Sequence, residues 1–178
     1  MTDRSIRKMV QHFRSAIDKA KQDNLFYGDI CFARFPNGCC GDTCYLLAQY
    51  LQSKRINTVY VCGDYQGQSH AWLVIKDHRV REPEPQFFDP PNEIRDILNV
   101  YSNNAYSAPI DVTHYTEHDI INGLIVDITA DQFGYLPVFV DYIGSFHKQF
   151  EFEFAHDFDS LGSTRLNHLY NTITEYID

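Results

Sequence analysis

Residues 37–75, NGCCGDTCYLLAQYLQSKRINTVYVCGDYQGQSHAWLVI, switch from a helical to a strand period within one run. Cys40, Cys44, Leu47, Ala48 and Leu51 recur at i, i+4, i+7, i+8 and i+11, the stripe of a helix with one buried face. Beyond Lys54 the chain turns β-branched and aromatic. Thr58-Val-Tyr-Val-Cys62 predicts a strand ending at Gly63, and His70-Ala-Trp-Leu-Val-Ile75 a second strand, apolar enough to be buried on both faces.

Upstream, Ile6, Met9, Val10, Phe13, Ile17 and Ala20 have helical spacing, with Arg, Lys and Asp on the other face. A loop from about Asn24 to Gly38 follows, broken by Gly28 and Pro36. Downstream, Asp77 to Asn122 reads as an irregular stretch carrying Pro83, Pro85, Pro90, Pro91 and Pro109. Its one helix candidate (Ile94, Ile97, Leu98, Tyr101) starts after two prolines. Gly123–Thr129, Tyr135–Tyr142 and Phe150–Phe154 predict three more strands, the last with period-2 alternation, and Leu166, Leu169, Tyr170, Ile173 and Ile177 predict a closing helix. Helices followed by a run of strands argue for an α+β fold with an antiparallel sheet. With 178 residues and no repeat or linker, a single domain over 1–178 is expected.

Composition narrows the function. The 15 Lys+Arg stand against 24 Asp+Glu, a net charge of −9. Such a chain has no electrostatic reason to bind nucleic acid or an anionic membrane. Apolar runs such as Gly123–Val126 fall far short of the ~20 residues of a membrane span. Arg4, Arg7 and Lys8 are not followed by an apolar stretch, so no signal peptide is expected. Five cysteines, an odd number without a secretory signal, suit reduced thiols and a cytoplasmic location.

Three segments carry residues fit for chemistry. Gly38-Cys-Cys-Gly41 puts a thiol at a helix start, where unpaired N–H groups and the macrodipole favour a thiolate and also an oxyanion. A packed, inert cysteine is the plain alternative. His70 is the one histidine of eight embedded in a strongly apolar strand; it is a base for that thiol or a hydrogen-bonded core residue. Asp127 interrupts Leu-Ile-Val-Asp-Ile, and a buried carboxylate needs a partner: His70, or Thr129 in a strand-end turn. Helical phase selects Cys40 over Cys39 as the nucleophile, because Cys40 shares a face with Cys44, Leu47 and Leu51.

Together these segments resemble the transglutaminase-like branch of the papain-like cysteine enzymes. Gly38, Cys40, Cys44 and Leu47 match its Gly-x-Cys helix start, Gly63 and His70-Ala-Trp-Leu its second element, and Val126-Asp-Ile-Thr129 its third. The resemblance spans roughly Asn37 to Phe133 and leaves both terminal helices unexplained. It implies a papain-like core and a Cys40–His70–Asp127 triad that attacks an amide carbonyl and forms a thioester. Peptide hydrolysis, glutamine deamidation and transamidation share that intermediate. A peptide or protein amide would be the substrate, and no cofactor is expected. The 57 residues from His70 to Asp127 exceed the family's usual short hairpin, so the proline-rich stretch reads as an insertion, a lid or substrate-side loop.

Further residues rank behind. Arg34, Asn37 and Gln132 flank the nucleophile or the acid, and Arg34 and Gln132 are candidates for holding substrate or an oxyanion. A zinc site among Cys31, Cys39, Cys40, Cys44 and Cys62 is disfavoured because no C-x2-C pair exists. Asp64 and Asp131 are possible cation ligands or loop residues. Trp72 is expected to pack its strand on the helix, and His114, His118, His147, His156 and His168 to lie on the surface. An inactive binding module on the same fold is the rival reading.

Overall fold

A computed structural model describes residues 2–76, 115–120, 122–142 and 144–177. Three helices, α1 (Asp3–Gln22), α2 (Cys40–Ser53) and α3 (Thr164–Thr174), accompany five strands: β1 (Val59–Tyr65), β2 (Gln68–Ile75), β3 (Leu124–Asp127), β4 (Phe139–Asp141) and β5 (Glu151–Asp157). The strands form one sheet in the order β4-β3-β2-β1-β5, with every pairing antiparallel. The fold is α+β, as the sequence order implies.

Strand alternation gives the sheet two differently furnished faces. Ala71, Leu73, Ile75 and Val126 turn to one side and join α1, α2 and α3 in the larger core, with Val10, Phe13, Ile17, Leu47, Leu51 and Ile173. Trp72, Val74 and Ile125 turn to the other side, where Phe139, Phe146 and Phe150 cover them. Trp72 therefore does not pack its strand on the helix: its even-numbered position points it at the opposite core.

The helix starts differ in a way that matters below. Thr2 caps α1 by accepting from the Ser5 N–H, and Ser163 caps α3 by accepting from the Leu166 N–H. Cys39, at the start of α2, makes no side-chain cap. The first-turn N–H groups of α2 are left for another acceptor.

Several boundaries move. β1 runs on through Gly63 to Tyr65, because Gly63 is needed inside the sheet: a Cβ there would lie 2.8 Å from the Glu151 carbonyl oxygen and 3.0 Å from Phe150 Cβ. The alternation expected over Phe150–Phe154 breaks, since Cys62 pairs with Phe154 and Gly63 with Phe152, leaving Glu153 as a bulge. Phe152 stays with the Trp72 core, whereas Phe154 stacks on Tyr60 and is 49% exposed. The fourth strand shrinks to Phe139–Asp141, and the third ends at Asp127. The proline-rich stretch and its helix candidate lie outside the described residues up to 114; within 115–120 there is a single helical turn, Glu117–Ile120.

Arg14 is a further correction. Assigned to the polar face of α1, it is only 8% exposed. It holds Asp131 through two nitrogens (2.8 and 3.0 Å), donates to the carbonyls of Ile128 (2.6 Å) and Pro137 (3.1 Å), and lies 4.5 Å over the Phe35 ring. Position 14 is i+4 from Val10 and i−3 from Ile17, so it belongs to the buried stripe. The segment after Asp127 is thereby tied to α1.

Candidate active site

α2 delivers Cys40 at its first position, beside β2. The His70 imidazole and the N–H groups of Ala71 and Gly41 are near enough to the sulfur to act on its ionisation. A Cβ at Gly41 would come 3.2 Å from the Tyr60 hydroxyl, a tight contact. Burial pushes the Cys40 thiol up, but the hydrogen bond and charge of His70, with those N–H groups, bring it below its ordinary value.

The adjacent thiols behave oppositely. Cys39, 3% exposed, donates to the Pro36 carbonyl (3.3 Å) and accepts from the Thr43 hydroxyl (3.7 Å). Burial pushes it up to about 12. Burial also raises Cys44 well above the ordinary value, and burial with the neighbouring Glu153 carboxylate takes Cys62 to about 12. Of two neighbouring cysteines, Cys40 is the poised thiol and Cys39 a packed one.

His70 and Asp127 come together by sheet register. Leu73 pairs with Val126 and Val74 with Ile125, so His70 and Asp127 share the face of Trp72 and Val74 and meet diagonally. His70 Nε2 donates to Asp127 Oδ2 at 2.8 Å, with both side chains at most 1% exposed. Asp127 Oδ1 accepts from the Thr129 N–H (2.8 Å) and hydroxyl (3.2 Å). Both readings of Asp127 hold: one oxygen closes the turn and the other orients the histidine. Burial alone would lower the His70 pKa, yet Asp127 and Cys40 raise it to about 9. Burial would raise Asp127, but the hydrogen bonds of His147 and His70 hold it well below the carboxylate range.

Gln132 joins this group. Its Oε1 accepts from the Gly38 N–H (3.4 Å) and its Nε2 reaches His70 Nδ1 (3.1 Å). With the carbonyl engaged by Gly38, the NH2 faces the Nδ1 lone pair of a neutral imidazole. Arg14 fixes the neighbouring Asp131, which is how the turn carrying Gln132 is held. Arg34 is not brought into the group; its Nε donates to the Ile30 carbonyl at 3.2 Å. Asn37 is exposed. Asp64 accepts from the Gly67 N–H (2.8 Å) in the β1–β2 turn.

His147 overturns its assignment to the surface. It is 4% exposed, and its Nε2 donates to Asp127 Oδ2 at 3.0 Å, the same oxygen His70 uses. His156 is half-buried, stacked 4.8 Å from Tyr60. The group His70, Asp127 and His147 is the one metal-capable cluster among the described residues, its donor atoms within 4.8 Å of one another. Two imidazoles and a carboxylate suit a transition metal, but both ring nitrogens facing Asp127 are already matched to it through hydrogen bonds. Phe133, Phe150 and Trp72 close around the His70 ring at 5.1, 5.3 and 5.9 Å. Sequence reasoning missed both His147 and Arg14.

No family model, curated protein or solved structure matches this chain. Among the described residues no helix is long and apolar enough to cross a membrane. The class the site defines rests on its own geometry: an α+β protein with a thiol at an uncapped helix start, linked through a buried imidazole to a buried carboxylate.

Proposed function

We propose that this protein is a cysteine-dependent acyl-transfer enzyme acting on an amide bond, built on a transglutaminase-like, papain-like core. The observation that carries the reading is the buried 2.8 Å His70–Asp127 hydrogen bond next to Cys40, which alone among the thiols with a resolved shift is lowered, through His70. Three stability-only residues would have no use for that arrangement, since burying ionisable groups costs free energy.

The Cys40 thiolate attacks the amide carbonyl carbon. A C–S bond forms as the carbonyl π pair moves to oxygen. The start of α2 carries no side-chain cap, and its first-turn N–H groups are candidate donors for that oxyanion. Collapse breaks the C–N bond while His70 Nδ1 gives its proton to the leaving nitrogen, and a thioester remains. Losing that proton, the imidazole becomes neutral again, the form that accepts from Gln132. Water or an amine then attacks, His70 takes its proton, and the second collapse returns the thiolate. Asp127 keeps the imidazole in the tautomer with Nε2–H throughout. Gln132, released whenever Nδ1 is protonated, can turn its NH2 to the oxyanion. The negative net charge mildly favours a cationic substrate or acceptor amine.

The test uses glutamine-containing peptides with and without a fluorescent primary amine. Ammonia, new peptide termini or amine incorporation, abolished in both Cys40→Ser and His70→Ala, supports the reading and identifies the second nucleophile. Turnover that persists in both variants overturns it. No acyl-enzyme and no turnover with any peptide would favour the binding module.

A further inference from the structure

His147 sits in the 3-10 turn His147–Gln149 and is walled by Phe139 (4.8 Å), Phe146 (4.9 Å) and Trp72 (5.2 Å). A phenylalanine would suit such a site better on packing grounds. The histidine brings a liability instead: its Nδ1 is buried with no hydrogen-bond partner among the described residues. An unsatisfied buried polar atom is destabilising. What the ring gains in exchange is one contact, the 3.0 Å hydrogen bond from Nε2 to Asp127 Oδ2.

We infer that His147 is a positioning residue of the Cys40–His70–Asp127 site, holding the carboxylate in the rotation and charge state that orients His70; this rests on the proposed function. Asp127 then has both oxygens fixed, Oδ1 by Thr129 and Oδ2 by two imidazoles. Oδ2 needs the second donor because a carboxylate fixed at Oδ1 alone can still tilt Oδ2 away from His70. The tautomer follows from the partners. Nε2 must carry the proton to donate to a carboxylate, so Nδ1 holds a lone pair, and a protonated ring would bury a partnerless N–H. Among the described residues, the titratable groups given beside His147 are Asp127 on β3, hydrogen-bonded to it, and His70 on β2, 6.5 Å away ring to ring; the other rings around it are the apolar ones named above.

The test compares wild type, His70→Ala, His147→Phe and His147→Gln in the iodoacetamide labelling rate of Cys40 from pH 5 to 9. Phe keeps the packing and removes the donor; Gln restores an N–H at the position of Nε2. The expected result is that the low-pH limb of Cys40 labelling shifts upward by about one pH unit in His147→Phe, roughly tenfold in rate at pH 6, with little change at pH 9, and returns largely to wild type in His147→Gln. A purely structural role would lower melting temperature in both variants and leave the limb in place, which would overturn the inference. If His70→Ala matches wild type, the proposed function fails instead, and the two failures are distinct. Should His147→Phe not fold, nitrogen-detected NMR of the wild-type ring decides: a proton on Nε2, hydrogen-bonded to Asp127, is expected, and a ring with its proton on Nδ1 alone overturns the inference. Stoichiometric zinc in the purified protein would also overturn it, assigning the same atoms to a metal.

Discussion

The two faces of the sheet solve different problems with the same strands. On the helix face, β2 contributes Ala71, Leu73 and Ile75 to a large apolar core in which the thiols of Cys39 and Cys44 are raised by burial. On the other face, β2 contributes His70 and Trp72 to an aromatic nest that encloses a carboxylate, two imidazoles and a threonine hydroxyl. The first face is stabilised by removing apolar surface from water. The second is held by complete hydrogen bonding of Asp127, and a half-satisfied version of it would be worse than an apolar core. Cys40 stands where α2 meets β2, and its lowering comes from His70 of the second face.

If that division is correct, the largest effect comes from breaking the polar face. Asp127→Ala strands the His70 and His147 N–H groups and both Thr129 donors, and should cost roughly 3–5 kcal/mol in urea unfolding as well as the Cys40 labelling advantage. A loss below about 1 kcal/mol would mean water already serves those donors. On the helix face, Leu47→Ala should cost roughly 2–5 kcal/mol while leaving the labelling ratio of Cys40 to Cys62 within about twofold of wild type. A collapse of that ratio would show that the faces are not separable.

A pH series sharpens the contrast further. His70 has a folded-state pKa of about 9 against an ordinary 6.5. A raised pKa means stability fully present below about 6.5 and lost as pH rises through about 9. The melting temperature should therefore fall between those limits in wild type and fall less in His70→Ala. Asp127 acts with opposite sign: its lowered pKa contributes above the ordinary carboxylate value and is lost only in strong acid. Identical pH profiles for wild type and His70→Ala would remove His70 from the account. The smallest effect belongs to Cys39→Ser, about 1 kcal/mol or less with Cys40 labelling unchanged, since the hydroxyl can still donate to the Pro36 carbonyl.

Legibility in the sequence followed periodicity. α1, α2, α3 and the β1–β2 pair were readable because each repeats over three or more turns or a full strand, and the Cys40–His70–Asp127 grouping was readable because each member interrupts or opens such a pattern. Cys40 over Cys39 follows from helical phase and from the Gly-x-Cys match. Phe154 was misread because a single bulge at Glu153 flips its face, and no local residue signals that bulge. Arg14 was misread as surface although its phase with Val10 and Ile17 marks it as inward. His147 could not be found that way: it lies in a short turn with no period, and its contact with Asp127 depends on how the chain folds back over 20 residues. Phe146 and Phe150 on either side were the one available hint.

The central claim is the Cys40–His70 pair, and the most direct measurement is the iodoacetamide labelling rate of each cysteine from pH 4 to 9 in wild type and His70→Ala, read by peptide mass mapping. The account predicts fast labelling of Cys40 well below the free-thiol pKa of about 8.5, slowed in His70→Ala, with Cys39, Cys44 and Cys62 slow throughout. Cys40 labelled no faster than Cys62, and unaffected by the substitution, would contradict it.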